Sequence, residues 1–385
     1  MHDPSGQPDS RTQTGLASQG LLVNLIGIIE GNPTGYGVHT RGFLRALERA
    51  RTPDLHCLFT EFRKPGEIER NVESCRAFTG RVVNIWLQVG PGDAVLARFP
   101  GEKIAYTMFE TDVLPDGWVA GLARADGVFT PSAWGREVMI DNGVEARRIH
   151  VVPGGVERAW FTPWGPKLRQ LESPAFKFLM IGAYQTRKGY AELFTAFRQA
   201  FGDRRDVELV VKAEAFATPS AREKHRAAIL ADAPPQVRVV EGRLGDAAVA
   251  ALYRSCDCFV FPSRGEGGGL PLFEAMACGL PVIATRCSGH SQLLDPFAGR
   301  FLEVSTLRKP VTAPDFLNWY RWKHGAGCWH EPDVDSLAAA MQRVAEGGLP
   351  WDPVATALEV RQRFSWDASV DAALRALLRP GVLQP

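Results

Sequence analysis

One arrangement recurs in this chain and limits its fold more than any other: a short apolar run, a glycine-bearing loop, then an amphipathic helix. Residues 21–29 (LLVNLIGII) lead through EGNPTGYG (30–37) into a helix over roughly 38–50, where Phe43, Leu44, Leu47 and Ala50 share one face. The arrangement returns at 176–182 (FKFLMIG), followed by AYQTRKG (183–189) and a helix with Leu193, Phe194 and Phe197 on one side. Further short β-branched runs follow at 207–211, 237–240, 258–261 and 281–285, separated by helical patterns. Alternation of this kind predicts an α/β chain with parallel sheets and right-handed crossovers.

Because the opening occurs twice, we expect two Rossmann-like, doubly wound domains facing a central cleft. Residues 151–174, with four prolines and three glycines, read as the connection between them. The expected division is a disordered tail over 1–19, a first domain over 20–160 and a second over 161–350. A C-terminal helix over roughly 353–379, within 351–385, is expected to pack back towards the first domain. The length of 385 residues suits two domains.

Composition narrows the function classes. The 44 basic and 43 acidic residues leave a net charge of +1, with no broad field for nucleic acid or anionic lipid. No nucleic-acid partner is expected, whereas a local basic patch and a peripheral membrane contact stay open. The apolar run at 21–29 is interrupted by Asn24 and is far shorter than the about 20 residues of a membrane span. Seven cysteines, an odd number spread along the chain, favour a reducing compartment and a cytoplasmic location.

Chemistry concentrates in PSRGEGGGLPLFEAMACGLPVIAT (262–285), which follows the apolar run CFVF. Gly265, Gly267, Gly268 and Gly269 let a backbone approach a ligand closely. Pro271 suits the first turn of a helix and Gly279 its far end. A glycine loop entering a helix N-terminus is an anion site, built from free N–H groups and the positive end of the dipole. Glu266 in the loop and Glu274, expected in the first helical turn, can both face the cleft. A carboxylate there can accept from vicinal sugar hydroxyls. Arg187 and Lys188 follow the end of the 176–182 run, where open α/β sheets bind ligands.

This string resembles the Glu-x7-Glu signature of the retaining group 1 (family 4) glycosyltransferases of GT-B fold. Other stretches match in the family's order: TGYG (34–37), FTPSAWGREVMIDNGV (129–144), IHVVPGGVE (149–157), FLMIGAYQTRKG (178–189) and VRVVEGRLGDAAVAALYRSCDCFVFPS (237–263). The resemblance implies a nucleotide-sugar donor, UDP- or GDP-linked, as co-substrate, with no other cofactor and no metal. It implies a glycan, lipid-linked or small-molecule acceptor. Glu274 would bind the donor ribose, and Glu266 would sit beside the sugar. Amides of Gly268, Gly269 and Leu270 would hold sugar and phosphate, as would the loop of Gly35 and Gly37. Lys188, with Arg187, would neutralise the diphosphate, and Gly242, Arg243 and Leu244 would touch the base.

Two positions depart from the family pattern. An arginine common after the glycine ending the second domain's first strand is Ala183 here. The histidine common in the first domain is absent, and YTMFETDVLPDGW (106–118) offers Glu110 or Asp112 instead. A plainer reading makes Asp112 or Asp116 a helix cap. Asp333 and Asp335, formally an Asp-x-Asp pair, precede a helix and read as capping residues. His324, Cys328 and His330 lack metal-site spacing. The aromatic, basic segment 305–330, with Trp319, Trp322 and Trp329, is expected to pack on its own domain rather than to bind a sugar. Two other readings remain: a non-catalytic nucleotide-sugar-binding protein on this fold, and a synthase or epimerase acting on a sugar nucleotide.

Overall fold

The computed structural model describes residues 20–29, 34–50, 52, 54–213, 219–320, 322, 325–348 and 352–378. The expected tail (1–19), His324 and part of the loop 30–37 lie outside the described residues.

The first sheet contains β1 (Leu21–Gly27), β2 (Leu55–Glu61), β3 (Arg81–Leu87), β4 (Glu102–Tyr106), β5 (Gly127–Thr130) and β6 (Ile149–Val151). All its pairings are parallel, in the order β2-β1-β3-β4-β5-β6. β1 lies inside the sheet and is buried on both faces, which is why it reads as a nearly continuous apolar run. Its interrupting Asn24 is fully buried but satisfied. It donates to Asn84 Oδ1 (2.9 Å) on β3 and accepts from Thr60 Oγ1 (2.7 Å) on β2.

The second sheet contains β7 (Phe176–Ile181), β8 (Val207–Lys212), β9 (Val237–Val239), β10 (Cys258–Phe261), β11 (Val282–Thr285) and β12 (Leu302–Val304). Its order, β12-β11-β10-β7-β8-β9, reverses direction between β7 and β10. Such a switch point leaves a crevice outside the carboxyl ends of its two central strands. The Arg187–Lys188 turn leaves β7 there, and the glycine loop leaves β10. Both expected ligand-binding segments therefore emerge at one place. An antiparallel pair, β13 (Thr306–Pro310) and β14 (Cys328–Pro332), stands apart from both sheets.

The expected connection is well packed. Phe161 and Leu171 are buried in the second domain's core. The single helix expected over 353–379 is instead two helices, Pro353–Arg363 and Trp366–Leu378. Phe364 leaves the helical region (φ −116°, ψ 49°), and Ser365 Oγ accepts from Ala368 N (3.2 Å), so the Phe-Ser-Trp sequence carries its own stop and restart. The first helix packs on the second domain, with the rings of Phe364 and Phe273 4.8 Å apart. The second packs on the first domain, where a Cβ at Gly42 would fall 2.1 Å from the Trp366 ring. At the break Val156 N donates to Phe364 O (2.6 Å), and Val156 pairs with Ser365 in a parallel bridge. The chain thus crosses between domains at two adjoining points.

Candidate active site

The glycine loop after β10 enters the helix Leu270–Ala277, with Gly269 left-handed (φ +73°), Pro271 in the first turn and Gly279 left-handed beyond the end (φ +78°). Glu274 is the fifth residue of this helix, one turn later than expected. The glycines permit contact with the opposite domain. A Cβ at Gly265 would lie 2.2 Å from the Glu110 carbonyl oxygen, and one at Gly267 would lie 2.7 Å from Met108 Cβ. Ser132 Oγ, from the first domain, donates to Gly267 O (3.1 Å). The loop is also tied from behind, where Ser288 Oγ accepts from Glu266 N (2.9 Å). Gly268 faces Pro131, Gly269 lies over His290, and the Leu270 side chain meets Gly154.

Beside this loop sits a buried ionic cluster. Glu266 Oε1 accepts from Lys188 Nζ (2.5 Å), Ser263 Oγ (2.6 Å) and Arg187 Nη1 (3.0 Å). Arg187 Nη1 also donates to Gly265 O (3.0 Å), while Nη2 lies 3.4 Å from Glu110 Oε1. The other Glu110 oxygen accepts from the Tyr320 hydroxyl (2.6 Å). Burial alone would raise the Glu266 carboxyl, but Arg187, Lys188 and the Ser263 hydroxyl outweigh it and hold it at about 2. Burial, then repulsion from Arg187, pulls Lys188 below the ordinary amine range despite Glu266. Two cations and two carboxylates therefore balance one another in a water-poor pocket, in which added phosphate charge would meet strong, fixed partners.

Glu274 behaves oppositely. Burial pushes its carboxyl up to about 8, and Asp246 adds to the rise. The Tyr253 hydroxyl (3.1 Å) and the more distant Arg41 offset only part of it. The two signature carboxyls thus differ in state near neutral pH, Glu266 ionised and Glu274 largely protonated. Above Glu274 the domains meet through Asp246, which lies 3.1 Å from Arg45 and 3.9 Å from Arg41 on the helix Gly35–Arg49. Gly242 (φ +79°), Arg243 and Leu244 form the turn before the helix carrying Asp246.

Other expected residues fall in mixed positions. Gly35 and Gly37 open the helix Gly35–Arg49, but the Gly37 amide is used by the Thr34 cap (3.1 Å). Tyr36 between them reaches the site: its hydroxyl donates to Met108 O (2.9 Å) and accepts from Met108 N (3.0 Å). Glu110 joins the ionic cluster, whereas Asp112 does not. Asp112 is not a helix cap either, because the helix Trp118–Leu122 starts on Gly117 without a side-chain cap. Its carboxylate instead meets Cys328 N and Arg308. Asp333 caps its helix, accepting from Ser336 N (2.7 Å). Among the described residues, no group of three or more His, Cys, Asp or Glu side chains could hold a metal ion. Ala183 is buried beside Tyr184 and supplies no charge.

Sequence reasoning missed two histidines. His290 is fully buried beneath Gly269, its Nε2 donating to Thr285 O (2.7 Å), and burial lowers it to about 4. His39 is buried against Tyr106 and Trp366 and is lowered by burial to about 3. Neither has a local motif, and only the tertiary packing brings them to the cleft.

Comparison with known proteins agrees with this arrangement. Residues 168–308 match the family described as glycosyl transferases group 1. A D-inositol 3-phosphate glycosyltransferase of Segniliparus rotundus is 27% identical over 260 residues, covering 63% of this chain and 50% of that relative. A mannosylfructose-phosphate synthase of Agrobacterium fabrum is 28% identical over 195 residues, covering 44% of this chain and 41% of its own. The chain spans about half the length of the curated relatives it matches. Among solved structures, Anabaena HepE in complex with UDP and glucose superposes with a TM-score of 0.65 at 14% identity, covering 92% of this chain and 99% of its own. Sucrose-phosphate synthase of Thermosynechococcus elongatus superposes with a TM-score of 0.64 at 17% identity, covering 92% and 98%. Residues 168–308 therefore match the group 1 glycosyltransferases, and the two facing Rossmann-like sheets give the chain the GT-B fold of these solved structures.

Proposed function

We propose that this chain moves a sugar from a UDP- or GDP-sugar to a hydroxyl group, keeping the configuration at the anomeric carbon. The reading rests above all on the switch point between β7 and β10, where Arg187, Lys188 and a glycine-opened helix N-terminus converge. That combination suits a diphosphate leaving group, whose charge grows as the sugar–phosphate bond breaks. In this reading Glu274 takes the ribose hydroxyls, and Gly242, Arg243 and Leu244 border the base. Amides of Gly268, Gly269 and Leu270 face the phosphate, Glu266 orients the sugar, and Glu110 is the polar group contributed by the first domain. The departing phosphate accepts the proton of the acceptor hydroxyl. Relatives are named for D-inositol 3-phosphate and for mannosylfructose phosphate, so phosphorylated polyols and sugars are the first acceptors to try.

A thermal-shift screen of nucleotide sugars identifies the donor, since a ligand at 100 times its Kd stabilises by about 2.7 kcal/mol. Proton NMR of the first-formed glycoside then reads the stereochemistry. An α-linked donor should give an α-linked product. A β-linked product would overturn retention and point to Glu110 or Asp112 as a base. Binding without transfer or hydrolysis of any donor would favour the non-catalytic reading.

Turnover is expected to survive EDTA, because Arg187, Lys188 and the helix N-terminus supply the positive charge. Loss in EDTA, restored by magnesium or manganese, would contradict this. The metal would then need ligands other than Asp333, which is engaged in its cap.

A further inference from the structure

Between β12 and the helix Val334–Ala345 the chain folds into a small unit of its own: the β13–β14 pair and the helix Pro314–Tyr320, around Val311, Phe316, Ala326 and Trp329. This unit touches both sides of the cleft. Towards the second domain, Asp315 Oδ2 accepts from Thr186 N (2.8 Å) in the Arg187–Lys188 turn, and His330 N donates to Arg264 O (3.0 Å) in the glycine loop. Towards the first domain, Cys328 N donates to Asp112 Oδ1 (2.7 Å), and Arg308 Nη2 lies 2.5 Å from Asp112 Oδ2. Gly327 packs so closely that a Cβ there would lie 2.1 Å from Asp112 Oδ1. The Tyr320 ring meets Trp118 edge-on at 5.8 Å.

The deepest contact is the Tyr320 hydroxyl on Glu110. The cation paired with that carboxylate is Arg187, at a long 3.4 Å. A charge-assisted O–H···O bond of 2.6 Å is the stronger restraint. Glu110 reaches into the cleft from the first-domain segment between β4 and the helix Trp118–Leu122, and without the hydroxyl its carboxylate could adopt other rotamers. Arg187, which bridges Glu110 and Glu266, would lose one of its two carboxylate partners and keep Glu266, the Gly265 carbonyl and Gln185.

We infer that Tyr320 is a positioning residue for transfer: it fixes Glu110, and through Glu110 it helps to hold Arg187, so that the β13–β14 pair and the helix Pro314–Tyr320 form a third part of the active site. The inference rests on the glycosyltransferase reading above for its link to turnover. Packing of the ring alone would leave the hydroxyl dispensable, and the substitution Tyr320→Phe separates the two roles. Phenylalanine keeps the contacts with Trp118, Phe316 and Trp322 and removes only the donor.

The experiment compares the full-length wild type with Tyr320→Phe by crystallography, UDP calorimetry and steady-state kinetics. The Glu110 carboxylate should leave Arg187 in the variant. Turnover should fall about tenfold or more, the loss expected for one hydrogen bond to a charged group, with a smaller loss of UDP affinity. A Glu110 that keeps its place, or turnover within about twofold of wild type, would overturn the inference. If the wild type turns over no nucleotide sugar, the functional reading fails, and the position of Glu110 in the variant still decides whether Tyr320 holds it.

Discussion

Replacing Lys188 by alanine is expected to lower turnover by about 10²–10³-fold, the usual loss when one preorganised electrostatic partner of a developing charge is removed. In the resting site the Lys188 ammonium is spent on Glu266, at 2.5 Å. Glu266 has further partners in Arg187 (3.0 Å) and the Ser263 hydroxyl (2.6 Å), so the variant does not strand a buried carboxylate. Folding should therefore survive, where Glu266→Ala would leave two buried cations and cost about 3–5 kcal/mol. The affinity for UDP should change much less than turnover, because charge on the leaving oxygen grows mainly in the transition state. Single-turnover kinetics beside UDP calorimetry make the comparison. Equal losses in affinity and turnover would make Lys188 a ground-state anchor.

Glu274→Ala is expected to weaken nucleotide binding by about 100-fold or more, through the loss of two hydrogen bonds from ribose to a desolvated carboxylate. The raised carboxyl gives this prediction a pH signature. In the free protein Glu274 titrates near 8. Two donated hydroxyl bonds favour its ionised form, so its pKa falls in the complex and binding releases a proton. Wild-type affinity for uridine or UDP should therefore rise with pH up to about 8 and level off beyond it, and Glu274→Gln should remove that rise. Calorimetry in buffers of differing ionisation enthalpy counts the proton. The same shift acts on folding. The native state holds this proton at pH values where the unfolded chain has released it, so Glu274 costs stability as pH rises from about 4.5 to 8. Glu274→Gln should accordingly raise the melting temperature most above pH 8. Wild-type affinity in the alanine variant would remove Glu274 from the site.

What the sequence disclosed depended on how locally each feature is encoded. β10, the glycine loop and the helix behind it are contiguous, and their turn residues are dictated position by position, so Pro271, Gly269 and Gly279 appear where expected. The switch point itself was not legible, because strand order is a tertiary property, although the segments that meet there were. The break at Phe364–Ser365 was overlooked because apolar residues run on across it, although Trp366, Val370 and Leu374 lie off the face that carries Val360 and Phe364. Segment 305–330 was read as packing on its own domain, and Trp329 does so. Tyr320 and the backbone at Cys328 reach the first domain instead, and no spacing in the sequence ties residue 320 to residue 110.

The return of the last helix to the first domain bears on how the molecule is made. Trp366, Val370, Leu374 and Leu377 complete a core whose other members include Val23, Phe43, Val83 and Tyr106. On a ribosome the first sheet emerges early, yet the last wall of its core is synthesised after the whole second domain. The first domain must wait, with an open apolar face beside the Gly42 notch, while its neighbour folds. A chain cut at the interdomain crossing should give an N-terminal piece that aggregates alone and becomes soluble when residues 352–378 are supplied in trans.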